Sequence, residues 1–354
     1  MKTLDEVEAR VIVNGTNTPG DATNSFIITA PGSYYLVGNL TGKTGKHGIS
    51  IRANDVSLDL NGFALIGGGG SCGIHVPHAQ SGFHLHNGSV RSWASGGVDG
   101  TTAVMLVERL CLTDNAGPAG LAVGNGSVIR DCVATGNIVG FRLPDRSQVS
   151  ACIASENLGD GFVGTSFVSI LDCTSSRNGG SGFDVQASCS IVRCTATRNF
   201  PDGIGIRAGP GSTITDCTVS NNGSDGIAVE AGSTVRSCTI SANFRGIIAR
   251  GGSCYLIDNN CYLNEFNGIE INDEDGRGNR VDGNNCSWNK GYGIFVQVGF
   301  DNLVIRNNAH QNGYPNYYVL DANYHLPGAA AGPIVSLGNV ATIKEISPWA
   351  NFSA

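Results

Sequence analysis

Arg207, Glu230 and Arg250 stand at matching places in three successive segments of the chain, each a short alternation of apolar and polar residues that follows a glycine. Two guanidiniums flanking one carboxylate suit an anionic sugar. A guanidinium grips a carboxylate through two parallel hydrogen bonds, and a carboxylate between two cations stays ionised, able to hold a cation or abstract a proton. Glu270 and Asn272 follow in the next segment, while Asp184, Gln186 and Gln297 fall at equivalent places in others. Arg207, Glu230, Arg250 and Glu270 are therefore the candidate catalytic groups, and Asp184, Gln186, Asn272 and Gln297 the candidate substrate contacts. The competing explanation is an exposed ladder of opposite charges, which suits stacked strands and adds little stability.

Two further clusters have metal-binding character. The stretch NDEDGRGNR places Asp273, Glu274 and Asp275 beside Glu270 on a glycine-containing loop. Clustered carboxylates suit Ca²⁺, which takes six to eight oxygens, although the spacing is not that of an EF-hand; a solvated acidic turn is the alternative. In GIHVPHAQSGFHLHNG, inward Phe83 and Leu85 would turn His84 and His86 outward on one strand face, with Asp59 of the preceding segment beside them. Two imidazoles and a carboxylate suit a transition metal, but exposed strand histidines without a metal are commoner.

These residues are positioned by a repeat. Asn137, Asn157, Asn178, Asn199, Asn222, Asn243, Asn264, Asn289 and Asn312 recur at intervals of 20, 21, 21, 23, 21, 21, 25 and 23 residues. A period of that length is one coil of a stacked solenoid, in which each unit buries its apolar face against its neighbours. Five residues before each Asn runs a column of Cys132, Cys152, Cys173, Cys194, Cys217 and Cys238, continued by Asn259, Asn284 and Asn307. An aliphatic column (Ile129 to Val304) lies three residues earlier, and a mostly small one (Ala134 to Ala309) lies between. All three are expected to point inward. After each Asn comes a glycine, followed in most coils by an apolar pair at alternate positions, such as Phe183 and Val185, Ile204 and Ile206, or Ile227 and Val229.

Alternation over so few residues predicts short strands, with glycines marking bends. Stacked coils would climb about 4.8 Å each, and stacked asparagines would hydrogen-bond amide to amide along the axis. Counting outward positions from the bend glycine gives a first column of Arg142, Val163, Asp184, Gly205, Ala228, Ile248, Glu270 and Phe295. The second column is Pro144, Thr165, Gln186, Arg207, Glu230, Arg250, Asn272 and Gln297.

This repeat resembles that of right-handed parallel β-helix proteins of the pectate-lyase-like superfamily, over roughly residues 45 to 315. The segment FIITAPGSYYLVGNLTG followed by GISIRANDVSLDLNGFALIG is similar to the N-terminal cap of many bacterial members. The resemblance, with the chirality rule for parallel crossovers, implies an all-β, right-handed parallel β-helix. Its handedness does not come from the spacing. The superfamily holds lyases, hydrolases, epimerases, tailspikes and adhesins, so the fold by itself does not assign an activity. Asp202 and Asp225, each before a glycine on adjacent coils, are similar to the stacked aspartates of polygalacturonase-like glycosidases. The accompanying Gly-His-Gly and Arg-Ile-Lys are replaced by FRGIIARGG, without histidine.

Composition narrows the classes further. Among 354 residues there are 51 glycines, 14% charged residues and a net charge of −7 with only five lysines, which leaves no basic stripe for nucleic acid. No apolar run is long enough to span a membrane. MKTLDEVEAR has no apolar core and is not a signal peptide as it stands; the resemblance favours an exported protein whose leader has been removed over a cytosolic one. Residues 1–45 are expected to cap one end of the solenoid, with Tyr34 and Tyr35 plugging the first coil. Residues 46–315 form the β-helix, and 316–354 cap the other end through Tyr317, Tyr318 and Trp349, the whole being one elongated domain. Nothing in the repeat specifies an oligomer. The cysteine column is expected to be packed thiol, since in-register strands aim their Cβ atoms in parallel, which opposes the dihedral a disulfide needs.

Two functions from different classes follow. One is a polysaccharide lyase or glycoside hydrolase working along the outward strand face on an extended acidic glycan, possible Ca²⁺ being its one cofactor. The other is a non-catalytic glycan-binding or structural surface protein, favoured by the absence of long cleft-building loops between 121 and 268.

Overall fold

A computed structural model describes residues 10–272, 277–297, 301–313, 324–326, 330–331, 334–336 and 347–353. Every regular element among them is a β-strand, most of them three to five residues long, paired in parallel with the equivalent strand one coil away. No helix among the described residues is long and apolar enough to cross a membrane. Contacts cluster into two compact units, residues 1–169 and 170–354.

In the unit of 1–169, one ladder stacks Phe26, Ile49, Ile74, Val98, Leu121, Phe141 and Phe162 in register. A second stacks Leu58, Leu85, Val107, Ile129 and Val149. These second-ladder side chains are buried, each stabilising the coil by about 1.5–3 kcal/mol relative to exposure. Parallel stacking begins before residue 45: Arg10–Ile12 pairs with Gly32–Tyr35, and that strand with Val56–Asp59. Tyr34 is buried with its hydroxyl donating to the Ala30 carbonyl, and Tyr35 lies under the Arg10 guanidinium at 4.5 Å. The glycine-rich excursion at 67–70 is packed against Trp93. A Cβ at Gly70 would come within 2.5 Å of that ring, and one at Gly42 within 2.4 Å, so these glycines make room for the largest fully buried side chain.

In the unit of 170–354, Phe183, Ile206, Ile227, Ile247, Ile269 and Ile294 form the corresponding ladder. The aliphatic column of Ile191, Ile214, Val235, Leu256, Val281 and Val304 and the small column of Ser175, Ala196, Val219, Ile240, Cys261, Cys286 and Ala309 are stacked and buried as the sequence indicates. Trp349 is half-exposed beside Arg306, while Asn351 two residues on is fully buried and accepts from the Asn307 amide. Tyr317 and Tyr318 lie outside the described residues.

Polar ladders tie successive coils together. Asn178, Asn199, Asn222, Asn243, Asn264, Asn289 and Asn312 form one continuous chain. In each step a side-chain oxygen accepts both the backbone and the side-chain N–H of the Asn one coil earlier, as when Asn243 accepts from Asn222 at 3.0 and 2.9 Å. In the other unit Asn115 adds a rung before Asn137. Cys173, Cys194, Cys217 and Cys238 run parallel to this chain, each of the first three donating its backbone N–H to the next sulfur, and Asn259, Asn284 and Asn307 extend the run. All twelve cysteines are free thiols, eleven of them buried.

Each ladder residue follows a corner in the left-handed region that is usually not glycine. Asp172, Arg193, Asp216 and Ser237 precede the cysteines, and Arg198, Asn221, Ala242 and Leu263 precede the asparagines, all with φ of 51–56°. That backbone costs roughly 1–2 kcal/mol for an L-residue, which the amide and sulfur hydrogen bonds at each corner offset.

Candidate functional site

The strands that carry the candidate chemistry are Phe183–Val185, Ile206–Ala208, Ile227–Glu230, Ile247–Arg250, Ile269–Ile271 and Ile294–Val296. Their register places Asp184, Arg207, Ala228, Ile248, Glu270 and Phe295 in one outward column. Glu230 and Arg250 are direct neighbours in the next column. Arg207 therefore does not share a column with Glu230 and Arg250, as counting from Gly203 predicts; it stands one pair earlier, its guanidinium 3.6 Å from Asp184. Gly205, not Gly203, is the bend glycine, since its N–H meets the Asp225 carbonyl just as that of Gly226 meets Arg245. Two extra residues before it shift the count.

Arg207, Glu230 and Arg250 nonetheless converge. With Ala208, Ala228 and Val229 they line a shallow depression of about 180 Å³. Arg207 and Arg250 are half-exposed, and Glu230 is exposed without an ion-pair partner among the described residues.

Beside this depression lies a saturated ionic network. Arg245 donates from Nε to Glu270 at 2.8 Å and from a terminal nitrogen to Asp225 at 3.2 Å, and Arg250 reaches the other Asp225 oxygen at 3.1 Å. Asn267 and Asn272 complete the Glu270 carboxylate at 2.8 and 2.9 Å. Phe244 and Phe266 stack on each other at 5.7 Å, and the Arg245 guanidinium lies beside the pair, 5.0 and 5.7 Å from their ring centres. The Asp225 and Glu270 side chains are only 2% and 4% exposed. Two buried carboxylates and two guanidiniums balance in charge, the condition under which ions are tolerated away from water.

Glu270 is almost fully buried, and its oxygens accept from Arg245, Asn267 and Asn272. Asp225 is likewise spent, so Asp202, which is exposed, and Asp225 do not form a working pair. Outer-face apolar contact among Ile204, Ala228 and Ile248 further closes the floor beside the network. Among the substrate candidates, Gln186 and Gln297 are exposed, Asp184 faces Arg207, and Asn272 is turned to Glu270.

Counting only the columns after the bend glycine misses this network. It is carried by the column immediately before that glycine: Ile204, Asp225, Arg245, Asn267 and Tyr292, whose carbonyls accept from successive glycine N–H groups. The signal was present as Asp-Gly, Arg-Gly and Asn-Gly on consecutive coils.

Asp273, Glu274 and Asp275 lie outside the described residues. Among the described residues no cluster of three His, Cys, Asp or Glu side chains is arranged to hold a metal ion. His84 and His86 do point outward over buried Phe83 and Leu85, and Asp59 is beside them, 3.7 Å from His86. Their rings stack on each other at 4.3 Å, and His84 is hydrogen-bonded to Glu108 at 2.8 Å, which also pairs with Arg130. Burial, reinforced by the neighbouring His84 charge, pushes the His86 imidazole below its ordinary value. A second pair, unread in the sequence, stacks His47 on His75 at 4.3 Å with Asp99 3.5 Å from His75.

The family model described as a right-handed beta helix region matches residues 47–211 and 186–326. The chain belongs to that family. No curated protein sequence matches it. Among solved structures, the A-module of the Azotobacter vinelandii mannuronan C-5 epimerase AlgE6 is similar with a TM-score of 0.57 and 16% identity, over 81% of this chain and 92% of that one. The A-module of AlgE4 from the same organism gives 0.53 and 16%, over 77% and 90%. The catalytic domain of a GH87 alpha-1,3-glucanase gives 0.50 and 10%, over 84% and 63%. At such identities the likeness is one of fold.

Proposed function

We propose that this protein acts on an extended acidic polysaccharide laid across the outward strand face, with Arg207 and Arg250 neutralising a uronate carboxylate and Glu230 as the base. The observation that carries this reading is an exposed carboxylate, without an ion-pair partner among the described residues, that shares one depression with two half-exposed guanidiniums. Bidentate contact lowers the charge on the uronate and acidifies the proton at its C5. Glu230 takes that proton, the electron pair forms the C4–C5 double bond, the C4–oxygen bond of the glycosidic linkage breaks, and water protonates the leaving oxygen. The polysaccharide epimerases and glucanase of similar fold support a carbohydrate substrate, and a polymeric substrate supports an exported protein.

Hydrolysis fits less well. It needs two working carboxyls roughly 5–9.5 Å apart, and Asp225 and Glu270 are both locked by arginine. A non-catalytic glycan-binding role is favoured by one observation, the depression of about 180 Å³, which falls below the roughly 300–1,000 Å³ of sites that enclose a ligand.

The experiment is a panel of acidic and neutral polysaccharides followed by ultraviolet absorbance of unsaturated ends and by new reducing ends. The expected result is unsaturated product from an acidic polymer, lost in Glu230→Gln. Binding without product supports the non-catalytic role, and reducing ends without unsaturation would sink the elimination chemistry.

A further inference from the structure

A larger cavity, about 530 Å³, lies in the unit of residues 1–169 among Lys43, Lys46, Phe26, Pro19, Asn24 and Ser25. Its size is that of a site for one small ligand. Two of the chain's five lysines meet here, against a net charge of −7. The Lys46 ammonium is held by the Asp21 carbonyl at 2.5 Å and keeps two N–H groups, while Lys43 has no ion-pair partner among the described residues. The Asp21 carboxylate does not cancel them. It accepts from the Thr23 and Asn24 N–H groups and pairs with Arg52 at 3.1 Å, and the hydrogen bonds from Asn24 and Thr23 hold it well below the usual carboxylate range.

The floor is polar and incomplete. Asn24 is 2% exposed; its side-chain nitrogen donates to Asp21 at 2.9 Å and Thr23 at 2.8 Å, which leaves its Oδ1 as a buried acceptor without a donor among the described residues. The Ser25 hydroxyl is buried and likewise without a partner among the described residues. Buried polar atoms are partnered as a rule, so two such atoms on residues that line one cavity are acceptors and donors that a small side-chain movement would offer to a hydroxyl or water in it. Phe26 supplies an apolar wall. No side chain fits at Gly20, where a Cβ would lie 2.3 Å from the Asn24 and Ser25 carbonyls.

We propose that this cavity binds one hydroxylated carboxylate, a uronic-acid unit either free or at the end of an acidic chain. The lysines meet the carboxylate, small rotations of Asn24 and Ser25 receive the hydroxyls, and the ring lies on Phe26. The site is independent of Arg207, Glu230 and Arg250, so either assignment can fail alone.

Calorimetric titration with D-galacturonate tests it, with D-galactose as the uncharged probe and a galacturonate trimer as the chain end. The wild type is expected to bind galacturonate, and the Lys43→Ala/Lys46→Ala variant to bind it at least tenfold more weakly with unchanged circular dichroism. In the Arg207→Ala background, which disarms the strand-face depression, galacturonate binding is expected to persist and to be lost when Lys43→Ala/Lys46→Ala is added. Equal affinity for monomer and trimer would assign the site to a single unit, and tighter trimer binding that the double variant still abolishes would assign it to a chain end. No binding of galacturonate, equal binding of galactose, or binding untouched by the double variant would overturn the proposal. If the double variant misfolds, Lys43→Gln and Lys46→Gln singly decide by the same criterion.

Discussion

Removing one rung of the asparagine ladder measures what holds the coils in register. Asn243 is about 1% exposed. Its Oδ1 accepts from the Asn222 backbone and side chain at 3.0 and 2.9 Å, and its Nδ2 donates to the Val219 and Ser241 carbonyls at 3.1 and 3.0 Å. Asn243→Ala leaves the Asn222 backbone N–H buried without an acceptor, at about 1–3 kcal/mol, and deletes further bonds worth about 0.5–1.5 kcal/mol each. The expected loss is about 2–4 kcal/mol. Asn243→Asp keeps the acceptor but turns a carboxylate oxygen towards the Asn264 oxygen and the Val219 carbonyl, so at neutral pH it should cost at least as much. Burial raises the folded pKa of that introduced carboxyl above the unfolded value of about 3.9, so its deficit should shrink as pH falls towards that value. Because repeat arrays can unfold in parts, denaturant midpoints should be read with hydrogen exchange at the Asn222 amide. A midpoint change equivalent to less than about 1 kcal/mol, with Asn222 protection intact, would refute the ladder as a stabilising element.

Four further outcomes follow. Asp282 is buried between Arg306 and Arg280 at 2.7 Å each; burial alone would raise its carboxyl, but the two arginines outweigh it and hold it below the ordinary range. Its contribution is therefore present above about pH 4 and lost as pH falls through the depressed folded value; Asp282→Asn should cost about 1–3 kcal/mol at neutral pH, discounted for half-exposed arginines, and flatten the acid limb of a thermal series. Thiol titration without reductant should find one reactive cysteine, Cys111, in the folded protein and all twelve in denaturant; oxidised residues in the Cys173 to Cys238 run would overturn the packing account. Ala242→Gly, at φ 55°, should be neutral or stabilising by up to about 1 kcal/mol, where a right-handed helical site would lose that much. Calcium at Glu270, Asp273, Glu274 and Asp275 remains a proposal; millimolar Ca²⁺ should then raise the melting temperature, and Asp273→Asn/Asp275→Asn should abolish the rise. An unchanged wild-type melting temperature would remove it.

The inward columns were legible because stacking forces one side chain to repeat its environment every coil, so Ile191, Ile214 and Val235 announce themselves by spacing alone. The corners were less legible. Glycine marks only one bend, while Asp216 or Ala242 takes the left-handed conformation under compulsion from ladder bonds that cross to another coil. The two extra residues ahead of Gly205 defeated the outward count for a related reason. Ile204, Gly205 and Ile206 alternate equally well in either register, and what decides between them is that the Gly205 N–H meets Asp225 one coil on.

The same insertion explains why the site itself was only half readable. Outward side chains have no common environment to repeat, so their roles depend on what the adjoining turn brings over them. Arg245, placed before the bend and lying beside the stacked Phe244 and Phe266 rings, reaches back to Asp225 and forward to Glu270. It thereby withdraws both carboxylates from solvent and leaves Glu230 as the acid of the depression without an ion-pair partner among the described residues. Arg250 is shared between Asp225 and the depression, so Arg250→Ala would unbalance the buried network while removing a ligand contact. Arg207, whose partner Asp184 is itself partly exposed, carries no such second duty. Loss of the remaining acidic-glycan binding when Arg207→Ala is added to the Lys43→Ala/Lys46→Ala variant, with unchanged melting temperature, is therefore the cleaner evidence that this face binds its substrate through guanidinium groups, and retention of that binding would return the arginines to a structural ladder.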